Sequence, residues 1–387
     1  MAGTIDISIV SSGANLADAR LHRLTRALLR EGLSVEIFAP GLHRDAPKII
    51  NGDSKLVIRK PLFSSHWAPT NLIARYFRSR YFVLRSHGKV IYAISPEAIA
   101  PTYGWSKLFR KKFAVDLFED YLSLLKDRAW TKKLFGLPGF IAISDTKSAL
   151  WFAARADLLT VADVQVPPFE AKNRLVVRNL PDRSLLTPSG EMDETPRAVY
   201  IGDLRKSRGL HAMLEIAAAA PDWEFDFVGE VAQSDLAFVQ NWLEEHGEPI
   251  LVAGRNVGAH AARIRFHGKL APAESWKYAA GAWVGLSLLE STPAFIAAVP
   301  SKIYEYLAVG LATLTTPLPR CIELVEKSGG GKVVASTEAA AKTLKEWSKN
   351  PQELREIRSS ALEWATVHLD SDSEYATFAG WMANLTR

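Results

Sequence analysis

Short apolar runs alternate with amphipathic segments from the start of the chain. Residues 5–10 form a mainly apolar run, which is typical of a buried strand. Between Asp18 and Arg30, leucine and alanine recur at intervals of three and four residues, which predicts a helix that begins at Asp18 and ends before Gly32. Residues 35–38 form the next predicted strand. This succession is a βαβ unit, the building block of a parallel, doubly wound sheet.

The alternation continues along the first half of the chain and restarts after residue 197. In the first half, further strands are predicted at 56–59, 90–93, 113–116 and 140–143. In the second half, strands are predicted at 198–201, 224–228, 264–266, 283–286, 312–315 and 332–334, and helices at 209–220, 273–280, 301–309 and 320–327. The pattern therefore predicts two parallel sheets in tandem.

Residues 183–197 separate the two series. They are rich in proline, serine, threonine and acidic residues, which is typical of an interdomain linker. We therefore predict an α/β protein with two Rossmann-like, doubly wound domains, residues 1–182 and 198–366, joined by the linker 183–197. Within the terminal segment 367–387, a helix predicted at 371–384 carries Phe378, Trp381 and Met382, and we expect it to pack back on the first domain.

Composition narrows the class of protein. With 387 residues, of which 48% are hydrophobic and 23% charged, the chain is globular and not disordered, collagen-like or fibrous. A single cysteine, Cys321, excludes a disulfide framework and a cysteine zinc cluster. No apolar stretch approaches the length of about 18 residues that a transmembrane helix needs. The N-terminus also lacks the pattern of a signal peptide, so we expect a cytoplasmic protein.

Charge divides the chain. The net charge is +12 up to Leu180 and −7 beyond it. Within residues 54–96 there are eight lysines and arginines and no acid, and aromatic residues such as Trp67 and Phe77 lie among them. A basic, aromatic-rich amphipathic stretch suits an anionic membrane surface, which we favour over the alternative of a helix whose aromatics face the core. No nucleic-acid module is recognisable, so we expect no nucleic-acid partner.

The second series opens with a strand, a basic loop with two glycines, and a helix. The loop runs from Gly202 through Arg205 and Arg208 to Gly209. Backbone N–H groups at a helix N-terminus, with arginine nearby, form an anion site that suits a diphosphate. A solvated basic loop explains the same residues equally well.

A later helix begins near Pro300 and Ser301 and ends at Gly310. Lys302 lies in its first turn, where a cation opposes the helix dipole unless an anion lies opposite. Glu305 follows one turn later, so the two side chains can reach the same ligand, the lysine a phosphate and the glutamate a ribose. An ordinary intrahelical ion pair is the alternative.

These two segments together resemble the GT-B glycosyltransferases of the family 4 type. That group shows Gly-x-x-x-x-x-Arg/Lys-Gly, here Gly202 to Gly209, followed by Pro-x-Lys-x-x-Glu-Tyr-x-x-x-Gly, here Pro300 to Gly310. In the first half, the helix from Asp18 to Arg30 and the segment Asn179-Leu180-Pro181-Asp182 are also similar to this group. The resemblance covers most of the chain.

The resemblance implies a nucleoside-diphosphate sugar, UDP-linked rather than GDP-linked, bound by the second domain, and a glycan or lipid-linked acceptor bound by the first. Arg208 and Lys302 would stabilise the diphosphate leaving group, and Glu305 would hold the ribose. The remaining donor contacts are expected from Gly202, Arg205, Gly209, Gly268 and Ser301. The resemblance further implies retention of configuration, no metal and no cofactor, and a role in bacterial-type surface polysaccharide or glycolipid assembly at the inner face of the membrane.

Three positions depart from the group's pattern. Asp203 replaces a common arginine, Ala297 replaces a common glutamate, and Phe118 replaces a histidine. Glu119 and Asp120, after Phe118, remain candidates for a catalytic base or an acceptor contact, although a solvated loop after a strand explains them more simply. The departures leave two alternatives open: a nucleotide-sugar epimerase of GT-B architecture, and a non-catalytic glycosyltransferase-like subunit.

Overall fold

The computed structural model describes residues 4–13, 16, 18–41, 53–59, 72–127, 137–181, 183, 186–256, 262–296, 298 and 300–387. The chain forms two compact units. The first comprises Met1–Asn179 together with Ser371–Arg387, and the second comprises Leu180–Asp370. The terminal helix thus belongs to the first unit.

The first unit is built on a seven-stranded parallel sheet. Its strands are β1 (Ile7–Val10), β2 (Val35–Phe38), β3 (Leu56–Ile58), β4 (Val90–Ala93), β5 (Lys112–Leu117), β6 (Leu158–Val161) and β7 (Arg174–Val176). Its helices are α1 (Ala19–Arg30), α2 (Leu72–Leu84), α3 (Pro96–Leu108), α4 (Tyr121–Asp127), α5 (Leu137–Ala153) and the terminal α14 (Ser371–Thr386). The strand order is β3-β2-β1-β4-β5-β6-β7, so the winding reverses between β1 and β4.

The second unit is built on a six-stranded parallel sheet. Its strands are β8 (Arg197–Ile201), β9 (Glu224–Val228), β12 (Ile264–Gly268), β13 (Val284–Ser287), β14 (Ala312–Thr315) and β15 (Gly331–Val333); β10 (Leu251–Val252) and β11 (Arg255–Asn256) form a separate antiparallel pair. Its helices are α6 (Leu210–Ala219), α7 (Leu236–Glu245), α8 (Pro272–Ser275), α9 (Pro293–Ile296), α10 (Ser301–Val309), α11 (Pro319–Ser328), α12 (Thr337–Lys349) and α13 (Pro351–His368). The order β12-β9-β8-β13-β14-β15 reverses between β8 and β13.

Both sheets confirm the predicted α/β fold with two doubly wound units. The prediction that the terminal helix packs on the first unit is also confirmed, because Phe378 and Met382 of α14 lie in one buried cluster with Leu24 and Leu28 of α1. Trp381 does not take part in that core; its side chain is 42% exposed.

The segment predicted as a linker, residues 183–197, lies in the second unit. Arg358 of α13 is buried and donates hydrogen bonds to Ser189 Oγ at 2.7 Å and to the carbonyl oxygen of Gly190 at 2.8 Å. Trp283 Nε1 donates to the carbonyl oxygen of Asp193 at 2.8 Å. The polar segment 183–197 is therefore anchored to the second unit, because its polar groups form hydrogen bonds with side chains of that unit.

The strand predicted at 140–143 is wrong, because these residues lie in α5. Phe140 and Ile141 are exposed there, on the outer side of the helix. A short apolar run does not distinguish a strand from a helix, and here it does not mark a core either.

Candidate functional site

The carboxyl ends of β8 and β13 form the point at which the second sheet reverses its winding. Ligands of open α/β sheets bind at such a point, outside the carboxyl ends of the strands. The loop after β8 starts at Gly202, and helix α10 begins at Ser301. The two segments singled out in the sequence therefore come together at the switch point of one sheet.

Gly202 and Lys302 are in close contact. A side chain at Gly202 would place its Cβ 2.9 Å from Lys302 Cε and 3.3 Å from the hydroxyl of Tyr200. The backbone φ of Gly202 is +153°, a value that favours glycine. Gly202 therefore leaves room for the lysine to lie across the end of β8.

Tyr200, which sequence reasoning missed, joins this group to Arg208. Burial raises the pKa of Tyr200, and the charge of Arg208 and its hydrogen bond to the phenol act in the opposite direction. The hydroxyl of Tyr200 donates to the carbonyl oxygen of Asp203 at 3.0 Å. The buried Nε of Arg208 has no hydrogen-bond partner among the described residues. Two cationic side chains, Arg208 and Lys302, thus meet around one tyrosine.

Gly209 ends a 3₁₀ turn, Lys206–Arg208, with φ of +87°. A Cβ at this position would collide with the carbonyl oxygen of Leu288, at the end of β13. The amide of Glu290 donates to the carbonyl oxygen of Ser207 at 3.0 Å. The basic loop is therefore held against β13 by backbone contacts, and Gly209 permits that approach.

The first turn of α10 carries the other predicted donor contacts. Pro300 occupies the N-cap position and supplies no side-chain hydrogen bond, while its carbonyl oxygen accepts from the amide of Ile303 at 3.0 Å; the amide of Ser301 precedes that one at the open end of the helix. Lys302 Nζ lies 2.9 Å from Glu305 Oε2, and the side chains are 21% and 16% exposed. Without a ligand, the two groups proposed for phosphate and ribose therefore neutralise each other.

Arg205 and Gly268 occupy different surroundings. Arg205 forms an ion pair with Asp203 at 2.6 Å, and both side chains are more exposed than Lys302. Gly268 ends β12 with φ of +68°, and a Cβ there would lie 3.1 Å from Arg255. The structure therefore groups Gly202, Arg208 and Lys302, whereas Arg205 is engaged by the neighbouring acid.

Sequence reasoning also missed a charged cluster on one face of the second sheet. Asp226 of β9 is buried and accepts hydrogen bonds from Arg197 at 2.9 Å, Arg265 at 2.8 Å and His267 at 2.6 Å. Burial raises the pKa of Asp226, but these hydrogen bonds and positive charges outweigh it and hold the pKa well below its usual range. The alternation of Asp226 with Phe225 and Phe227 was the available signal, because it places the acid on the opposite face of the strand.

In the first unit, Asp120 has a structural role. Its carboxylate accepts hydrogen bonds from the amides of Leu122 at 3.1 Å and Ser123 at 3.2 Å, at the start of α4. Glu119 is exposed, and Phe118 packs edge-on against Tyr121. Asp120 therefore caps the N-terminus of α4.

A polar cluster lies where the first sheet reverses its winding. The hydroxyls of Ser12 and Ser95 are 3.0 Å apart, and Ser12 Oγ donates to Glu97 at 3.2 Å. Arg75 forms an ion pair with Glu97 at 2.8 Å. Sequence reasoning missed this cluster because its members lie far apart in the chain, and only the switch point of the sheet unites them.

Neither a metal cluster nor a membrane-spanning helix occurs in the part of the chain that the structure describes. Within those ranges, no group of three or more His, Cys, Asp or Glu side chains is arranged to hold a metal ion. In the same ranges, no helix combines the length and apolar character needed to cross a membrane. Ala297 lies outside the described residues.

Comparison with known proteins bears on both units. Residues 205–377 match the family model described as glycosyl transferase-like. HepE of Anabaena, solved with UDP and glucose, is 15% identical with a TM-score of 0.67, and the match covers 98% of this chain and 99% of that one. This chain has the GT-B fold. Curated proteins gave no significant match in sequence.

Two further solved structures share the fold over nearly their whole length. Sucrose-phosphate synthase of Thermosynechococcus elongatus is 12% identical with a TM-score of 0.71, and 98% of this chain and 99% of that one are covered. WaaG, described as a glycosyltransferase involved in lipopolysaccharide biosynthesis, is 15% identical with a TM-score of 0.64 over 98% and 99%. The expected GT-B fold is thus confirmed, and the match of residues 205–377 to a glycosyl transferase-like family agrees with the expectation of a glycosyltransferase.

Proposed function

We propose that this GT-B protein transfers a sugar from a nucleoside-diphosphate sugar to an acceptor hydroxyl. The observation that carries the proposal is the meeting of Gly202, Arg208 and Lys302 around Tyr200 at the switch point of the second sheet. Two cations and a helix N-terminus at one strand end suit a diphosphate. The epimerase alternative has no observation in its favour among the described residues.

The diphosphate is the leaving group of the reaction. The bond between the anomeric carbon and the phosphate oxygen breaks, and its electron pair goes to that oxygen; the acceptor oxygen bonds to the anomeric carbon and gives up its proton to a base. Arg208 and Lys302 stabilise the charge that develops there, together with the amides at the start of α10. Such groups take the place of a divalent cation, and we therefore propose that transfer needs no metal. Retention of configuration is proposed on the resemblance alone.

Glu305 binds the ribose hydroxyls in this proposal. Its carboxylate accepts two hydrogen bonds from the sugar once a phosphate draws Lys302 away from it. The intrahelical ion pair costs little to break, because such pairs contribute only about 0.2–0.5 kcal/mol. The donor thus exchanges one weak pair for two sets of charged hydrogen bonds.

We propose UDP as the nucleotide rather than GDP. HepE, with the same fold, was solved with UDP and with UDP-glucose, which supports this choice. Gly268 lies at the end of β12, the edge strand of the sheet. In the strand order, β12 and β13 lie on opposite sides of β8, and we expect the nucleobase at the β12 end.

The acceptor is proposed to bind the first unit. The cluster of Ser12, Ser95, Glu97 and Arg75 offers hydroxyl, carboxylate and guanidinium groups suited to sugar hydroxyls, and Glu119 is the candidate base. We further propose a glycan or lipid-linked acceptor of surface polysaccharide or glycolipid assembly, and a protein that works peripherally at the cytoplasmic face of a membrane.

One experiment tests the transfer itself. UDP release from UDP-sugars is measured by mass spectrometry in EDTA, for the wild type and for Lys302→Ala. We expect metal-independent release that falls at least a hundredfold in the variant. Equal release in both proteins would contradict the proposed role of the switch point.

A second candidate, a subunit that binds nucleotide without turnover, is favoured by one contact. Asp203 forms an ion pair with Arg205 at 2.6 Å and so neutralises one of the cations of the loop. Absence of UDP release from the wild type in that experiment, together with UDP binding measured by calorimetry, would select this candidate.

A further inference from the structure

We propose that the outer surface of helices α2, α3 and α5 in the first unit is a docking face for an anionic lipid bilayer. The inference rests on the proposed peripheral location and not on the donor chemistry of the second unit. Packing, exposure and charge support it. We call this surface the basic aromatic face; it comprises the outward side chains of α2, the C-terminal half of α3, and α5.

The three helices form one layer. Each turns an inner side to the same buried cluster, to which Phe82 of α2, Ile99 of α3 and Ala149 of α5 belong. Helix α3 packs against both α2 and α5. Side chains on the opposite side of the three helices therefore point away from the core of the unit.

That opposite side is strongly apolar. Phe77 is 65% exposed, Leu108 70% and Phe140 72%, and each belongs to a different helix of the layer. Four further large apolar side chains are more than half exposed, namely Leu84, Ile141 and Trp151 on these helices and Phe109 at the C-terminal cap of α3. Scattered exposed hydrophobics are normal, but this many on one layer marks an interaction surface.

The same layer is strongly basic. On the helices and directly after them, Arg85, Lys107, Arg110, Lys147 and Arg155 are exposed and Arg80 is half-buried, whereas Asp145 of α5 is the one exposed acid of these described segments. Glu97 does not offset the surface charge, because its side chain is only 11% exposed and is paired with Arg75. The charge of the basic aromatic face is therefore complementary to an anionic partner.

Arginines lie directly on exposed aromatic rings. The guanidinium carbon of Arg80 is 3.1 Å from the ring centroid of Tyr76, and that of Arg155 is 3.4 Å from the ring centroid of Trp151. In α5, Phe140, Lys147 and Trp151 follow one another at helical spacing on the exposed side. Cations and apolar rings are thus interleaved along each helix.

This interleaving favours a bilayer over a protein partner. Lipid headgroups present phosphate, and acyl chains lie just beneath it, so a flat surface meets both chemistries at every point. Aromatic side chains also prefer the membrane–water interface. A partner helix would need a continuous apolar groove, whereas here basic residues interrupt the apolar ones.

Not every arginine of the basic segment takes part. Arg75 pairs with Glu97, and Arg78 donates to the carbonyl oxygen of Ser12 at 3.3 Å, so both face the interior of the unit. Residues 60–71, including Trp67, lie outside the described residues. The face extends instead to α3 and α5, beyond the stretch 54–96 that the sequence indicated.

Co-sedimentation with vesicles tests the proposal on the full chain. The vesicles consist of phosphatidylcholine alone, or of equal parts of phosphatidylcholine and phosphatidylglycerol. The test variant is Arg80→Glu/Lys107→Glu/Lys147→Glu, and a second variant, Phe77→Ser/Phe140→Ser, removes apolar side chains only. The matched control is Lys342→Glu/Lys345→Glu/Lys349→Glu, which reverses three exposed lysines of α12 in the second unit.

We expect the wild type and the α12 control to bind the anionic vesicles and not the neutral ones. Partition of the charge variant should fall about a hundredfold. Partition of the apolar variant should fall about tenfold or more. Thermal unfolding and UDP affinity of both variants should match the wild type, because the changes lie on the surface of the first unit.

Two results would overturn the proposal. One is partition of both variants to anionic vesicles at the wild-type level. The other is a wild type that does not bind anionic vesicles but self-associates in ultracentrifugation through Phe77 and Phe140, which would make the face an interface between copies. UDP binding is read separately. Its failure alongside normal vesicle binding would remove the proposed donor site and leave the docking face in place.

Discussion

Lys302 Nζ lies 2.9 Å from Glu305 Oε2, one helical turn further along α10. Both side chains lie at the switch point of the second sheet, where Lys302 crosses the backbone of Gly202. A cation in the first turn of a helix is unfavourable unless a negative charge lies nearby. Glu305 supplies that charge in the free protein, and we propose that the diphosphate supplies it in the complex.

Glu305→Gln should weaken UDP binding. The variant loses the charged hydrogen bonds to the ribose, which correspond to about 2 kcal/mol, or about thirtyfold in Kd. Titration calorimetry measures the change. The control is Glu323→Gln, which breaks a comparable pair with Lys327 on α11, at 2.7 Å, away from the switch point. An unchanged Kd in Glu305→Gln would remove the ribose role.

Gly202→Ala should reduce UDP affinity at least tenfold, because the new methyl group displaces Lys302 from the strand end. Gly247→Ala is the control, since Gly247 also has a positive φ, +66°, but open space around it. Both variants should lose about 1 kcal/mol of unfolding free energy through backbone strain. If Gly202→Ala binds UDP as tightly as Gly247→Ala, the contact with Lys302 has no part in binding.

Arg208→Ala should lower turnover about 10²–10³-fold, with a smaller effect on UDP affinity, because charge on the leaving group is greatest in the transition state. Lys206→Ala changes a neighbouring exposed cation of the same turn and should leave kcat within a few-fold of wild type. Steady-state kinetics with a UDP-sugar distinguish the two. Wild-type turnover in Arg208→Ala would exclude the assignment.

Asp226→Asn should destabilise the second unit by about 3 kcal/mol at neutral pH, because three cationic or hydrogen-bonding partners lose their anion. The depressed pKa of Asp226 also sets a pH dependence: the stability that the carboxylate contributes is present at neutral pH and is lost as the pH falls below the ordinary aspartate value of about 3.9.

Urea unfolding from neutral pH to about pH 3 measures both effects of that substitution. The acid loss should be steeper in the wild type than in Asp226→Asn. Glu224→Gln is the control, since Glu224 bonds the same Arg265 but is 34% exposed and should cost less than about 1 kcal/mol. If the free energy of unfolding falls equally steeply with decreasing pH in the wild type and in Asp226→Asn, Asp226 does not titrate as described.

The sequence was sufficient for the architecture because strand and helix alternate with clear caps. Asp18, for example, accepts hydrogen bonds from the amides of Arg20 and Leu21 at the start of α1. The sequence was insufficient where apolar residues do not mark a buried strand. Phe140 and Ile141 are apolar yet exposed on α5, and β6 and β7 were not predicted although Leu158 and Leu159 are fully buried.

The site was predictable in part. The motif residues Gly202, Arg208 and Lys302 do converge, since parallel strands bring their carboxyl ends to one edge. Tyr200 was missed because a tyrosine in a buried strand is ordinarily interpreted as a core residue. The pairing of Arg205 with Asp203 was also not predictable, because it depends on side-chain positions that sequence spacing does not define. The catalytic and binding roles of these residues stay predictions.

Calorimetric titration of the wild type with UDP, GDP, ADP and CMP, first in EDTA and then with Mg²⁺, tests the central claim most directly. We expect UDP to bind in EDTA, with little change on adding Mg²⁺ and weaker binding of the other three nucleotides. Absence of binding by all four, with or without the metal, would contradict a donor site at the end of β8.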